Sequence, residues 1–298
     1  MDKEIVKTIY EDIFLKIQHS NIDLFLCGGA STKKNKSNRD ELRSRLEKKK
    51  NLSIFYPEDM FMELLSRKKY DLFTLEKFLA DNSDIIMIVC ESPGSFTELG
   101  AFTGNSETLE KLVVLIQKKY KNDKSFIMQG PIRYIQARDK KRVIFFNNDL
   151  NEMEKLVNQY LSRNYWFYGD KKYARRFGKH KKGINLISGQ FNFILLLLYF
   201  YNSIEIKEMS EAVEYIYCEN GFRQNQEKHH FEILYKAALK RLYKEGMLIQ
   251  SIENQSNFYR LTQKGYWAAK DLLKDTIMQK KDMKINQIRL DIISAQYC

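Results

Sequence analysis

The chain has few of the residues that form disulfides and metal sites. Its four cysteines are scattered, with no Cys-x-x-Cys pair and no histidine at ligand spacing; they are Cys27, Cys90, Cys218 and Cys298. This pattern indicates neither a zinc site nor a disulfide framework. We expect reduced thiols and no bound metal.

Long hydrophobic runs are also missing. The longest, residues 193–201, is too short to span a bilayer, and the first residues are acidic with no apolar segment of signal-peptide type. These absences predict a soluble, cytoplasmic protein that does not enter a membrane.

The charge is unbalanced, with 50 basic against 38 acidic residues and a net charge of +12. Such an excess attracts polyanions, although a lysine-rich surface can also serve solubility alone, and both interpretations stay open. A length of 298 residues suggests two domains, and 44% hydrophobic residues are enough for ordinary cores.

Residues 84–105, DIIMIVCESPGSFTELGAFTGN, are the stretch around which the chain is organised. Residues 85–90 are an unbroken apolar run, typical of a central strand buried on both faces. A turn cluster follows at 91–95, and helical spacing begins at 96–102. This order places backbone N–H groups and a helix N-terminus at the carboxyl edge of a sheet, where open α/β folds bind anionic or sugar-phosphate ligands.

Glu98 has two interpretations. Ser95 and Glu98 fit a capping box, in which serine and glutamate satisfy each other's backbone donors. The neighbouring residues favour a catalytic role, because a capping glutamate needs no glycine-bearing loop before it, no second acid at Glu91 and no Gly100-Ala101 pair behind it.

Other apolar runs predict further strands at residues 22–27, 53–56, 112–117 and 142–146. Alternation with helices indicates an α/β fold with a doubly wound, mostly parallel sheet. Gly28-Gly29 follows the first strand and Asp59 follows the second, so three loops are expected to share one edge. Residues 39–50 read as a helix with exposed charges, in a position suited to a lid.

The composition of the chain changes after a predicted helix at 151–161, the last of the α/β part. A basic run interleaved with aromatics contains Lys171, Lys172, Arg175, Arg176, Lys179, Lys181 and Lys182. It could track phosphates while its aromatic rings stack on bases, or it could be a solvated linker.

The last part predicts three helices, a hairpin at 246–261 and another helix, the order of a winged helix-turn-helix. The third helix combines a core stripe of Leu234, Ala238 and Leu242 with basic residues. Contact with DNA and contact with protein alone are both open for such a domain. The candidate nucleic-acid-binding residues are Lys171, Lys172, Arg175, Arg176, Lys236, Lys240 and Arg241.

Three segments carry a family resemblance: FLCGG at 25–29, IFYPED at 54–59 and ESPGSFTELGAF at 91–102. In this order they resemble the nucleoside 2-deoxyribosyltransferase-like effector proteins of bacterial retrons, and the resemblance covers most of the chain. It implies a glycosidase-like domain at 1–165, a basic linker at 166–183 and a winged-helix domain with a helical tail at 184–298. It also implies an antiphage toxin that works with a reverse transcriptase and its RNA-linked single-stranded DNA, as a homo-oligomer or filament in that complex.

The chemistry that fits the resemblance is attack of Glu98 on an anomeric carbon. Nicotinamide leaves NAD without a proton, so we expect NAD to be the substrate, with no other cofactor. The alternatives are removal of a base from a deoxynucleoside or nucleotide, and a winged-helix regulator that only senses a nucleotide. The candidate substrate-binding residues are Gly28, Gly29, Tyr56, Asp59, Asp84, Glu91, Ser92, Gly94 and Ser95.

Overall fold

The computed structural model describes residues 1–17, 21–33, 35–49, 52–56, 71–166, 182–221, 227–253 and 255–297. The chain divides into two compact units. The sheet unit is Ser20–Arg176, and the helical unit combines Met1–His19 with Phe177–Cys298.

The N-terminal segment forms part of the helical unit. Helix α1 (Lys3–Thr8) continues as a π-helical turn, Ile9–Ile13, and a 3-10 turn, Phe14–Lys16. The apolar residues of this segment are core, because Ile9 and Ile13 are fully buried and Phe14 packs edge-on against Phe193 at 5.5 Å. The predicted glycosidase-like domain, residues 1–165, includes this segment. In the structure, its apolar contacts lie in the helical unit.

The sheet unit is built on five strands: β1 (Ile22–Gly28), β2 (Leu52–Phe55), β3 (Ile85–Cys90), β4 (Leu112–Gln117) and β5 (Val143–Phe146). They pair in the order β2-β1-β3-β4-β5, and every pair is parallel. All six residues of β3 are buried, which confirms that it is a central strand covered on both faces.

Helices connect the strands: α2 (Asn38–Leu46), α3 (Leu72–Asp81), α4 (Pro93–Thr103), α5 (Ser106–Lys111), α6 (Arg133–Arg138) and α7 (Leu150–Leu161). Side chains of α2 and α7 share one core with Leu24, Met87 and their neighbours on one sheet face. On the other face, Phe25 meets Phe102 of α4 edge-on at 6.0 Å. Helices therefore cover both faces, as in a doubly wound fold.

The helix predicted at 39–50 is confirmed as α2, but its predicted position as an exposed lid is wrong. Helix α2 ends at Leu46, Leu42 and Leu46 are fully buried, and even Arg39 is only 6% exposed. The alternation of arginines and acids along this helix concealed a packed apolar face.

The remaining elements of the helical unit are α8 (Ile187–Tyr201), β6 (Ser203–Glu205), α9 (Ile206–Glu219), α10 (Glu227–Lys244), β7 (Leu248–Glu253), β8 (Ser256–Leu261), α11 (Gln263–Lys274) and α12 (Lys281–Tyr297). The predicted hairpin is confirmed as β7 and β8, and the three-residue strand β6, which sequence reasoning missed, completes an antiparallel sheet of order β6-β8-β7. The core stripe of Leu234, Ala238 and Leu242 is confirmed, since all three are fully buried.

The C-terminal helix α12 packs against the helical unit through part of its apolar face. Ile288 and Ile292 are buried, and Arg289 donates a hydrogen bond to the Tyr199 hydroxyl at 2.9 Å. Among the described residues, no helix combines the length and the apolar character needed to cross a bilayer.

We predict that Ile13→Ala destabilises the helical unit by about 2–5 kcal/mol, because truncation of a buried isoleucine leaves a cavity. The chain has two tryptophans, at positions 166 and 267. Denaturant unfolding followed by Trp267 fluorescence in a Trp166→Phe background should show the lower midpoint. The exposed Glu11→Ala is the control. An unchanged Trp267 transition in Ile13→Ala would contradict the assignment of this segment to the helical unit.

Candidate active site

The strand order creates a crevice between β1 and β3. In a sheet of order 2-1-3-4-5, the connections leave these two neighbouring strands toward opposite faces, and ligands bind beyond the carboxyl ends of the strands at this point. Gly28 pairs with Val89 in the register. The loops that begin at Gly29 and Glu91 therefore emerge side by side, which confirms the shared edge for two of the three predicted loops. The third loop, after β2, lies outside the described residues.

Two glycines allow the first loop to approach the second. A Cβ on Gly29 would lie 3.2 Å from the Glu91 Cγ and 3.3 Å from the Ser92 Cβ. Gly28 has φ of +148°, and a Cβ there would lie 3.0 Å from the Arg39 Cβ. Side chains at either position would force these segments apart, so both glycines are explained by close packing.

Gly94 differs because it is exposed and open. A Cβ at this position would meet only the Ser92 Oγ, at 3.9 Å. Pro93 has no N–H, and the Ser92 Oγ accepts the Ser95 N–H at 3.2 Å. Gly94 therefore supplies the remaining backbone donor of the first turn of α4.

The helix cap is formed by Ser92 and Ser95, and not by the alternative capping box of Ser95 with Glu98. Helix α4 begins at Pro93, with Ser92 as its N-cap. The buried Ser95 Oγ accepts the N–H groups of Glu91 at 3.1 Å and Ser92 at 3.0 Å. These two predicted substrate-binding serines thus fix the turn that begins α4.

Glu98 is the sixth residue of α4, and its Oε2 is shielded from solvent. Burial and the negative charges of Glu98 and Glu91 raise the pKa of Cys90 to about 12. The thiol stays protonated at neutral pH and is a poor nucleophile, whereas a carboxylate nucleophile needs no deprotonating partner.

Glu91 joins the second loop to α2. Its Oε2 accepts the N–H of Asn38 at 2.9 Å, and its Oε1 accepts the N–H of Arg39 at 3.0 Å. A carboxylate at a helix N-terminus also interacts favourably with the helix dipole. Glu91, predicted from the sequence to bind substrate, is thereby shown to hold the wall of the crevice together.

Tyr56 belongs to a charged cluster that sequence reasoning missed. Its hydroxyl donates to the Asp40 Oδ1 at 3.0 Å, and the guanidinium carbons of Arg39 and Arg43 lie 4.4 and 4.1 Å from its ring centroid. Burial raises the pKa of the Tyr56 hydroxyl. The sequence signal for this cluster was the four-residue spacing of Arg39 and Arg43, which places both side chains on one helix face.

Asp40 is the acceptor at the centre of this cluster. Partial burial raises its pKa, but hydrogen bonds from Ser31 and Tyr56 and the charge of Arg39 outweigh burial and lower the pKa to about 2. The carboxylate therefore stabilises the start of α2 as an anion.

Of the two remaining predicted substrate-binding residues, the structure describes one, Asp84. Asp84 precedes β3, at the amino edge of the sheet, where its Oδ2 accepts the Asp23 N–H at 2.8 Å. The strand separates it from Glu91 by about 20 Å, so its assignment to the site is corrected. Asp59 lies outside the described residues.

The predicted nucleic-acid-binding residues divide into three groups. Lys171, Lys172, Arg175 and Arg176 lie outside the described residues. Lys236 and Lys240 are exposed on α10, although Lys236 also pairs with Glu232 at 2.7 Å.

Arg241 is the exception on α10, and its assignment is corrected. Its side chain is only 11% exposed and pairs with Glu245 at 2.7 Å. It also donates to the Ser188 Oγ at 2.8 Å and lies over the Phe191 ring. Arg241 therefore joins α10 to α8 within the unit.

We predict that Asp40→Asn lowers the stability of the sheet unit by about 1 kcal/mol or less above pH 4, because solvent screens the partly exposed carboxylate. A depressed pKa contributes stability above the unfolded value of about 3.9 and loses it as the pH falls toward 2. The difference from the parent should therefore shrink between pH 4 and pH 2 in urea unfolding. Asp123→Asn, an exposed change in the same unit, is the control; a pH-independent difference for Asp40→Asn would contradict the assignment.

Comparison with known proteins places these features in a family. The profile of the STM3845 retron effector protein family matches residues 35–250. The chain is 31% identical over 245 residues to the Escherichia coli protein named "Retron Ec86 putative ribosyltransferase/DNA-binding protein", covering 80% of this chain and 76% of that one. It is 27% identical over 232 residues to the retron Ec73 protein of the same description from Escherichia coli, covering 69% and 70%. The chain therefore belongs to the STM3845 retron effector family.

Proposed function

We propose that this retron defence effector cleaves an N-glycosidic bond, with NAD as its substrate. Family membership and the relatives' names support ribosyl chemistry. The all-parallel sheet with its crevice between β1 and β3 is compatible with a nucleoside 2-deoxyribosyltransferase-like domain.

The position of Glu98 is the observation that carries the proposal. Serines 92 and 95 cap α4, Glu91 fixes the neighbouring helix, and the Cys90 thiol is protonated. Glu98 lies in the helix that starts at the crevice, one turn beyond this cap, and a carboxylate can act as a nucleophile without a deprotonating partner.

The proposed reaction begins when a Glu98 oxygen bonds to the anomeric carbon of the nicotinamide ribose. The C–N bond breaks, and its electron pair goes to the pyridinium nitrogen, so nicotinamide leaves as a neutral molecule. Water then cleaves the ribosyl ester, which yields ADP-ribose, restores the carboxylate and releases one proton.

The loops supply a rationale for a dinucleotide over a nucleoside. Gly94 offers an exposed backbone N–H at a helix start, which favours an anionic oxygen. Gly28 and Gly29 bring the first loop against the second, so we propose that the diphosphate lies along this seam. The Ser95 N–H is already used in the cap, so Ser95 is not among the phosphate donors.

We propose that the helical unit is a winged-helix domain that binds the reverse transcriptase and its RNA-linked single-stranded DNA. Its element order from α8 to β8 is helix, strand, helix, helix and hairpin, and the sheet order β6-β8-β7 fits a winged helix. The exposed Lys236 and Lys240 support contact with phosphates. Assembly as a homo-oligomer or filament in the complex belongs to the same proposal.

We predict that Glu98→Gln lowers NAD hydrolysis at least ~100-fold, because the amide cannot form the ribosyl ester. Free nicotinamide released by the full-length protein is the measurement. Glu107→Gln, an exposed glutamate in the same unit, removes the same charge and is the matched control.

Two outcomes of this assay count against the proposal. Hydrolysis by Glu98→Gln at the parental rate would remove Glu98 as the nucleophile. Release of bases from deoxynucleosides, with NAD left intact by the parent protein, would instead support the base-removing alternative.

The double change Lys236→Gln and Lys240→Gln should weaken binding to single-stranded DNA and reduce the slope of log K against log salt by about 1.4, or ~0.7 for each lost phosphate contact. Fluorescence anisotropy at ~50 to ~200 mM salt measures the slope. Lys118→Gln with Lys119→Gln, on the sheet unit, is the control pair. An unchanged slope in the α10 variant would exclude this face from phosphate binding.

A further inference from the structure

Helix α11 exposes two adjacent aromatic residues that neither the fold nor the proposed glycosidase site uses. Tyr266 is 41% exposed and Trp267 is 49% exposed. Their rings meet edge to face, with centroids 5.9 Å apart. Behind them, Tyr199 of α8 supports Tyr266 at 5.4 Å, so the outer rings rest on a fixed base.

Basic side chains surround this aromatic pair. The Lys270 Nζ lies 4.9 Å from the Trp267 ring centroid, and the Arg289 guanidinium carbon lies 5.2 Å from the ring centroid of Tyr199. Asp271, the acid on the same helix, is paired with Lys274 at 2.7 Å. A cation is thus placed within reach of the phosphate of a nucleotide that stacks on Trp267.

The pair also continues the basic face of α10. Lys236, Lys240 and Lys244 recur at every fourth residue of that helix and so follow one face toward its C-terminal end. There the Lys264 Nζ of α11 donates to the Glu245 carbonyl at 2.6 Å. Lys264 therefore links the end of the α10 face to the turn that bears Tyr266 and Trp267.

We infer that Tyr266, Trp267 and Lys270 form a stacking site for unpaired bases of a single-stranded nucleic acid. Half-exposed aromatic rings beside cations bind such strands without sequence preference, because every base has a face to stack. A protein partner would also cover apolar rings, but the flanking Lys264, Lys270 and Arg289 complement a phosphate backbone. The site lies on the helix after the hairpin, so it extends the proposed nucleic-acid surface beyond α10.

Tryptophan fluorescence offers a direct test. In the full-length Trp166→Phe protein, Trp267 is the sole tryptophan. Titration with oligo-dT of ~12 nucleotides should quench this fluorescence to saturation, since a stacked base contacts the ring. A duplex of equal length should quench it far less.

Binding measured by anisotropy of a labelled oligo-dT should weaken about 5- to 100-fold in Trp267→Ala, the range for loss of one stacked base. Trp267→Phe keeps an aromatic face and should retain most of the affinity, which separates loss of stacking from loss of fold. Lys270→Gln should reduce the salt slope by ~0.7. Ile277→Ala removes another exposed apolar side chain of this unit and is the control.

Absence of quenching, equal quenching by the duplex, or parental affinity in Trp267→Ala would each overturn the inference. Loss of a copurifying protein partner in Trp267→Ala, with affinity for oligo-dT unchanged, would assign the surface to protein instead. The inference does not rest on the glycosidase proposal, because nicotinamide release tests that proposal in the same preparation.

Discussion

The candidate site depends on the hydrogen bonds that the Glu91 carboxylate accepts from the start of α2. This carboxylate joins the loop after β3 to the first N–H groups of α2, and α2 in turn carries Arg39 against Gly28 and Asp40 against Tyr56. Four chain segments that are distant in sequence therefore meet through one anion at a helix start. Each contact is modest alone, but together they define the wall of the crevice.

Several side chains around the crevice stabilise the fold. Ser92 and Ser95 satisfy the backbone, Glu91 satisfies α2, and both glycines of the first loop allow the close approach. Their neighbour Glu98 sits one and a half turns into α4, where a rigid helix rather than a loop determines its direction. The proposed nucleophile therefore stands on a helix whose cap is formed by other residues.

Much of the fold could be predicted because buried strands appear in the sequence as unbroken apolar runs. The runs at β3 and β4 are apolar at nearly every position, and their bounds match the structure. The cap was harder, since ESPGSFTE offers two overlapping serine caps; Pro93, which favours the first helical position, was the signal for Ser92. Asp84 was misplaced because a residue before a parallel strand lies at the edge opposite the site. Strand β6 was too short for a pattern, and no periodicity distinguishes the buried Arg39 from an exposed one.

The helical unit contains the first and the last parts of the chain, with the sheet unit inserted between them. During translation, the apolar face of the N-terminal segment emerges before Phe193 and the other residues that cover it. At about 5–20 residues per second, roughly ten seconds or more pass before α8 is made. The sheet unit can fold on the ribosome in that interval, whereas the helical unit cannot be completed until its last part is made. Nascent chains therefore pass through a stage in which the proposed catalytic crevice is complete and the unit proposed to bind the partner is not.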